Sequence, residues 1–182
     1  RGILLFGPPG TGKTHTVRHL MGRLPGATVV VLTGLGLGMV RDACALARLV
    51  APAVVVLEDV DLVAEERTMH MGGQQNPLLY QVLNEMDGVA GDADIAFLLT
   101  TNRVDLIEPA LAQRPGRVDL AVEVPRPGEA DRRRLLNLYG RDLKLTEEET
   151  EEIVAATAGA TASLFAELAR RAELLAATGG AA

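Results

Sequence analysis

One octapeptide constrains the fold of this chain more than any other part of it: Gly7-Pro8-Pro9-Gly10-Thr11-Gly12-Lys13-Thr14. The apolar run Ile3-Leu4-Leu5-Phe6 before it reads as a short buried strand. Val17, Leu20, Met21 and Leu24 after it carry helical spacing. Glycines in a turn between strand and helix let the backbone bend tightly and aim its N–H groups inward. The result is a concave anion nest at the positive end of a helix. Pro9, Gly10, Thr11 and Gly12 supply the nest, Lys13 can reach β- and γ-phosphates, and the Thr14 hydroxyl can ligand Mg²⁺. The stretch predicts that the chain binds a nucleoside triphosphate.

Composition limits what surrounds this turn. A chain of 182 residues holds one ordinary domain, or one with a small appendage. Aromatics make up only 3% and Trp is absent, so Ala, Val and Leu must pack the core. A net charge of −6 argues against a general nucleic-acid binder, which needs a basic surface. The single cysteine, Cys44, cannot form an internal disulfide, and it reads as a buried spacer on a helix of small residues. With no signal peptide and no membrane-length apolar run, a reducing, cytoplasmic setting is expected. The abrupt start at Arg1 reads as a fragment of something longer.

Taken in order, Thr28–Leu32 is a continuous β-branched run expected to form a strand buried on both faces. Thr33–Gly38 reads as a flexible apolar loop and Val40–Val50 as a helix. Ala53–Leu57 is another apolar strand, followed at once by Glu58, Asp59 and Asp61. Residues 64–75 read as a mobile loop and Pro77–Met86 as a helix that Asp87-Gly88 stops. Ile95–Thr100 is a strand ending in Thr101-Asn102-Arg103, and Leu120–Val124 a last short strand. Strands alternating with helices at this spacing imply an α/β fold with a doubly wound parallel sheet. Ligands bind such sheets beyond the carboxyl ends of the strands, where the glycine turn, Glu58-Asp59 and Asn102 all fall. After Pro125-Arg126-Pro127-Gly128 only helical patterns remain: Asp131–Tyr139, Thr146–Ala156 with Thr146 and Glu149 as a capping box, and Thr161–Ala177. The expected division is a nucleotide-binding domain over 1–125 and a small all-α domain over 126–182. Arg132-Arg133-Arg134 reads as the solvated face of a helix.

These residues together resemble the AAA ATPases, ring-forming members of the P-loop class. GPPGTGKT is similar to their Walker A motif, Arg41-Asp42 to Pro52 to the helix leading into Walker B, and Asn84–Gly88 to their MDG helix end. Thr101-Asn102-Arg103 resembles sensor 1, and Glu108–Leu111 with Arg114-Pro115-Gly116-Arg117 the second region of homology. Thr157–Leu164 resembles the segment of their helical lid written T-P-G-F-S-G-A-D. The likeness runs through essentially the whole chain.

The resemblance implies that the helical part is a lid and that Asn102 orients the attacking water or senses the γ-phosphate. It also implies that Arg114 and Arg117 reach the nucleotide of a neighbouring subunit. Phosphoryl transfer is largely positioning and charge stabilisation, so a lone subunit would have an incomplete site. Tyr139 stands where the family often has a His near adenine and ribose; a half-buried lid tyrosine is the plainer alternative. Ala162 and Ser163 fall where small residues let the lid approach the base, and His15 falls near base or ribose. Two departures stand out. The family's Walker B usually ends Asp-Glu, whereas here Glu58 precedes Asp59, making Asp59 the candidate base and Glu58 the metal-side carboxylate. The loop after Leu32 is short and lacks an aromatic, which leaves Leu35, Leu37 or residues Met69–Met71 to grip a client. The expected function is ATP hydrolysis with Mg²⁺, coupled to remodelling of a protein client in a homo-oligomeric ring, hexameric in the family. The competing expectation is a scaffold that binds ATP and barely hydrolyses it. A clamp-loader-like nucleic-acid machine fits the acidic balance poorly.

Overall fold

The computed structural model describes residues 1–61, 81–86, 94–105 and 118–178. The described chain divides into two compact units. One comprises Arg1–Gly7 and Lys13–Glu123, the other Pro8–Gly12 and Val124–Ala182.

The first unit is a five-stranded sheet of β1 (Gly2–Phe6), β2 (Thr28–Thr33), β3 (Ala53–Glu58), β4 (Ile95–Thr101) and β5 (Leu120–Glu123). The order is β2-β3-β4-β1-β5, and every neighbouring pair is parallel. Parallel neighbours require crossovers; α1 (Lys13–Met21) lies between β1 and β2, and α2 (Val40–Leu49) between β2 and β3. The central strands β3 and β4 are apolar because both faces are covered. Val55, Leu57, Phe97 and Leu99 form the core with Leu4, Leu37, Val40, Cys44 and Leu83. Residues 81–86 are helical and add Val82, Leu83 and Met86 to that core. Cys44 is fully buried there.

Two expectations need correcting. The Thr28–Leu32 run is not buried on both faces: β2 is an edge strand paired only with β3, and Val31 is 46% exposed. β-branched residues mark a fit to a pleated surface rather than full burial. Nor is the segment after it a loose loop, because Gly34–Met39 forms a 3-10 helix. Its tight turn places Leu35 and Leu37 on different faces; Leu37 is 1% exposed and Leu35 90%. Leu37 is therefore a core residue and offers no grip.

Register decides where the sheet delivers its functional ends. Phe6 pairs with Thr101, and Leu57 with Leu99. Gly7, Glu58-Asp59 and Asn102 therefore leave three adjacent strands at one edge.

In the second unit α3 (Glu129–Tyr139), α4 (Glu147–Ala156) and α5 (Ala162–Ala177) pack around Leu136, Val154 and Phe165. The capping box forms: the Thr146 hydroxyl accepts from the Glu149 N–H, and the Glu149 carboxylate accepts from the Thr146 N–H at 2.8 Å. The basic triplet is not uniformly solvated. Arg132 is buried and donates to the Val154 carbonyl at 3.2 Å and the Pro127 carbonyl at 3.4 Å. The helical period turns the first arginine inward and leaves Arg133 to pair with Glu147 and Glu151, and Arg134 with Asp131.

Candidate active site

Lys13 opens α1 directly after the glycine turn. It is only 6% exposed, and its Nζ donates to the Gly7 carbonyl at 2.8 Å. Burial pushes the ammonium pKa down because the charged form loses solvent, while Asp59 and Asp61 pull it back up. An ammonium drawn toward carboxylates at the edge of a sheet is already placed for anionic ligands.

Asp59 follows β3 in a left-handed backbone, φ +52°, which is uncommon for a residue with a side chain. Its N–H donates to the Thr100 hydroxyl at 2.9 Å, tying the turn to the neighbouring strand end. The Asn102 side chain completes the link. Its Nδ2 donates to Asp59 Oδ1 at 3.3 Å and to Asp61 Oδ2 at 3.3 Å. Lys13, Asp59 and Asn102 thus meet as a set in the sheet unit. Positive-φ residues persist only where their surroundings hold them, and they cluster at functional sites.

Asp61 was visible in the sequence as a third acid after the strand, but nothing there gave it a role. In the structure it is 4% exposed and accepts from the Thr101 hydroxyl at 2.9 Å and the Asn102 N–H at 3.0 Å, both at Oδ1. The usable signal was the Asp59–Val60–Asp61 spacing, which the structure turns into two carboxylates on one asparagine. Glu58 is different. Its Oε1 is buried and has no hydrogen-bond partner among the described residues. A buried carboxylate oxygen without a donor is costly, and a hard cation is the ligand that such an oxygen suits.

The other candidates lie in the second unit. The Thr11 hydroxyl donates to the Pro8 carbonyl at 2.9 Å, and the Ser163 N–H donates to the Gly10 carbonyl at 3.0 Å. Gly10 has φ +76°, and a Cβ there would overlap Ser163 Oγ and sit 3.0 Å from Thr161 Oγ1. Thr11 and Ala162 share a cavity of about 330 Å³ with Pro127, Asp131 and Leu135. That size lies in the lower part of the range of small-molecule pockets, roughly 300–1,000 Å³. Tyr139 does not line it; the ring packs half-buried beside Leu136, Val154 and Phe165. His15 is exposed on α1, and Thr14 is partly exposed. Arg114, Arg117 and Met69–Met71 lie outside the described residues. Among the described residues no cluster of three His, Cys, Asp or Glu forms a metal cage, and no helix is long and apolar enough to cross a membrane.

A glycine turn feeding a buried lysine into a helix, at the carboxyl edge of a parallel sheet, with acids and an asparagine on adjacent strand ends, defines a P-loop nucleoside triphosphatase. Within that class the chain belongs to the AAA family: the model for the ATPase family associated with various cellular activities matches residues 3–126. AAA proteins are ATPases, and this chain is accordingly an ATP-binding and ATP-hydrolysing module. It is 36% identical over 189 residues to ATP-dependent zinc metalloprotease FtsH 3 of Synechocystis sp., covering 97% of this chain and 30% of that protein. It is 37% identical over 192 residues to the FtsH of Thermotoga maritima, covering 99% of this chain and 31% of that protein. The proteasome-activating nucleotidase of Methanocaldococcus jannaschii is 36% identical over 171 residues, covering 87% of this chain and 40% of that protein. The chain thus spans less than half the length of these relatives.

Proposed function

We propose that this chain is the motor part of a cytoplasmic, homo-oligomeric ring, hexameric as in the family, that uses ATP hydrolysis to remodel a protein client. The names of its relatives, an ATP-dependent protease and a proteasome-activating nucleotidase, tie the same module to work on proteins. The observation that carries the hydrolytic part is the joining of Asp59 and Asn102 beside a buried Lys13.

In this reading the turn N–H groups of Gly10–Gly12, which follow Pro9, and the Lys13 ammonium hold the phosphates. Glu58, with its orphaned oxygen, and the Thr14 hydroxyl would hold Mg²⁺, which when bound neutralises phosphate charge. Asp59 accepts a proton from the attacking water, and Asn102 fixes that water's position. Arg114 and Arg117 act on the nucleotide of the adjoining subunit, so assembly completes the site. Residues 126–182 serve as the lid, with Ala162 and Ser163 near the base. Leu35, exposed on its 3-10 helix, is the side chain left for client contact among the described candidates.

The test is steady-state ATP turnover against protein concentration, with Mg²⁺ and with a chelator. Turnover per subunit is expected to rise with concentration, to vanish with chelator or in Lys13→Ala, and to fall in Arg117→Ala. A rate independent of concentration and indifferent to Arg117 would remove the ring from the reading. ATP held uncleaved over hours in a single-turnover experiment would favour the scaffold instead.

A further inference from the structure

Asp61 does nothing in the scheme above, yet it is the most committed polar group of the site. It is 4% exposed, and among the described residues its two oxygens take three hydrogen bonds, all from Thr101 and Asn102. Carboxylates only accept. The amide NH₂ of Asn102, facing Asp59 on one side and Asp61 on the other, has both protons spoken for. The orientation of the amide is thereby fixed by chemistry: nitrogen toward the two acids, oxygen turned away from them. An amide oxygen so turned can accept an O–H from a water, but it has no proton to give a phosphate. The backbone N–H of the same residue is bound to the same carboxylate, so Asp61 fixes both the position and the polarity of Asn102.

We propose that Asp61 is a positioning residue for ATP hydrolysis, holding Asn102 as a hydrogen-bond acceptor toward the attacking water through its joint grip on the Asn102 side-chain and backbone nitrogens. The proposal rests on the hydrolytic reading of Asn102 given above. Asp61 touches neither nucleotide nor water in this scheme; it acts through its neighbour.

The experiment is Asp61→Asn in the full-length protein. The substituted amide keeps an oxygen for the Thr101 hydroxyl and the Asn102 N–H, but sets NH₂ against NH₂ where Asp61 Oδ2 now meets Asn102. The expected result is a fall in kcat of about 10- to 100-fold, the scale on which small misplacements act, with ATP affinity by calorimetry within threefold of wild type. In an Asn102→Ala background the same change should lower kcat less than twofold further, because the group it positions is gone. Thr101→Val, which removes one donor to Asp61 along with the acceptor of the Arg103 N–H, should give a smaller loss confined to kcat, and it serves should Asp61→Asn not fold. Full kcat in Asp61→Asn or Thr101→Val, losses that multiply with Asn102→Ala, or a defect shared equally by affinity and melting temperature would each overturn the proposal. The two readings separate cleanly. If Asn102→Ala leaves turnover intact, the role of Asn102 itself fails; if that variant is slow while Asp61→Asn is not, only the positioning by Asp61 fails.

Discussion

Gly10→Ala puts a single methyl at the point where the glycine turn meets the first turn of α5. At φ +76° an L-residue sits in the left-handed region, at a cost of roughly 1–2 kcal/mol. The added Cβ overlaps Ser163 Oγ, so the serine must rotate and lose its 3.1 Å contact with Thr161 Oγ1. A neutral hydrogen bond of that kind contributes about 0.5–1.5 kcal/mol. Together the strain disfavours the observed turn by about 2–3 kcal/mol, and at about 1.4 kcal/mol per decade ATP should bind roughly 30- to 100-fold more weakly. Isothermal titration of ATP into Gly10→Ala measures this directly. Adding Ser163→Gly should return the steric share, several-fold in affinity, and leave the backbone share. The reasoning is refuted if Gly10→Ala binds ATP within twofold of wild type, or if removing the serine side chain recovers nothing.

Two further outcomes concern stability. Arg132→Met takes the guanidinium donor from the Pro127 carbonyl and from the Val154 carbonyl, which keeps only the Thr157 hydroxyl at 3.3 Å, and should lower the unfolding free energy by about 1–3 kcal/mol, read from urea midpoints. Arg134→Met, at an exposed position, should stay within about 0.5 kcal/mol. Burial pushes the Cys44 thiol up to about 11 from an ordinary 9.0, so in that window the unfolded chain ionises while the folded one stays protonated. Stability owed to this thiol is whole below pH 9 and is lost as pH rises toward 11. Cys44→Ala should flatten that part of the urea-midpoint profile, and an unchanged slope would show the thiol to be irrelevant.

How far the sequence reached follows from which interactions are local. The five strands were legible because β3 and β4 are unbroken apolar runs and because each strand ends at a turn marker. The capping box at Thr146 was legible because it lies within four residues. β2 was misjudged because edge and centre strands carry the same β-branched composition; only the pairing order distinguishes them. Leu37 was misjudged because five alternating Gly and Leu residues read as slack until a 3-10 turn gives them a period. Arg132 looked like its neighbours because a buried arginine is recognised by its acceptors, here 5 and 22 residues away. At the site, Lys13, Glu58, Asp59 and Asn102 could be picked out by motif spacing. Asp61 could not be assigned a role, since its partners sit about forty residues on and meet it only through the β3–β4 register.

That register also gives a physical reason for a metal ion and for the reversed Walker B order. Asp59 and Asp61 set two carboxylates against the ammonium of Lys13, with Glu58 at the strand end just before them. A polyphosphate brought to this edge adds to the excess. Low-dielectric surroundings amplify the repulsion, which is the repulsion that the proposed Mg²⁺ would offset. The two acids of the pair are not equivalent in this respect. Asp59, the shorter, is pinned by its backbone to Thr100 and by its side chain to Asn102, which suits a group that must hold one position. Glu58, longer by one methylene, keeps a buried oxygen that no donor among the described residues satisfies, which suits a group whose partner arrives with the ligand. Under the proposed roles, the exchange of Asp and Glu moves the reach to the metal side and the rigidity to the water side, without emptying either role.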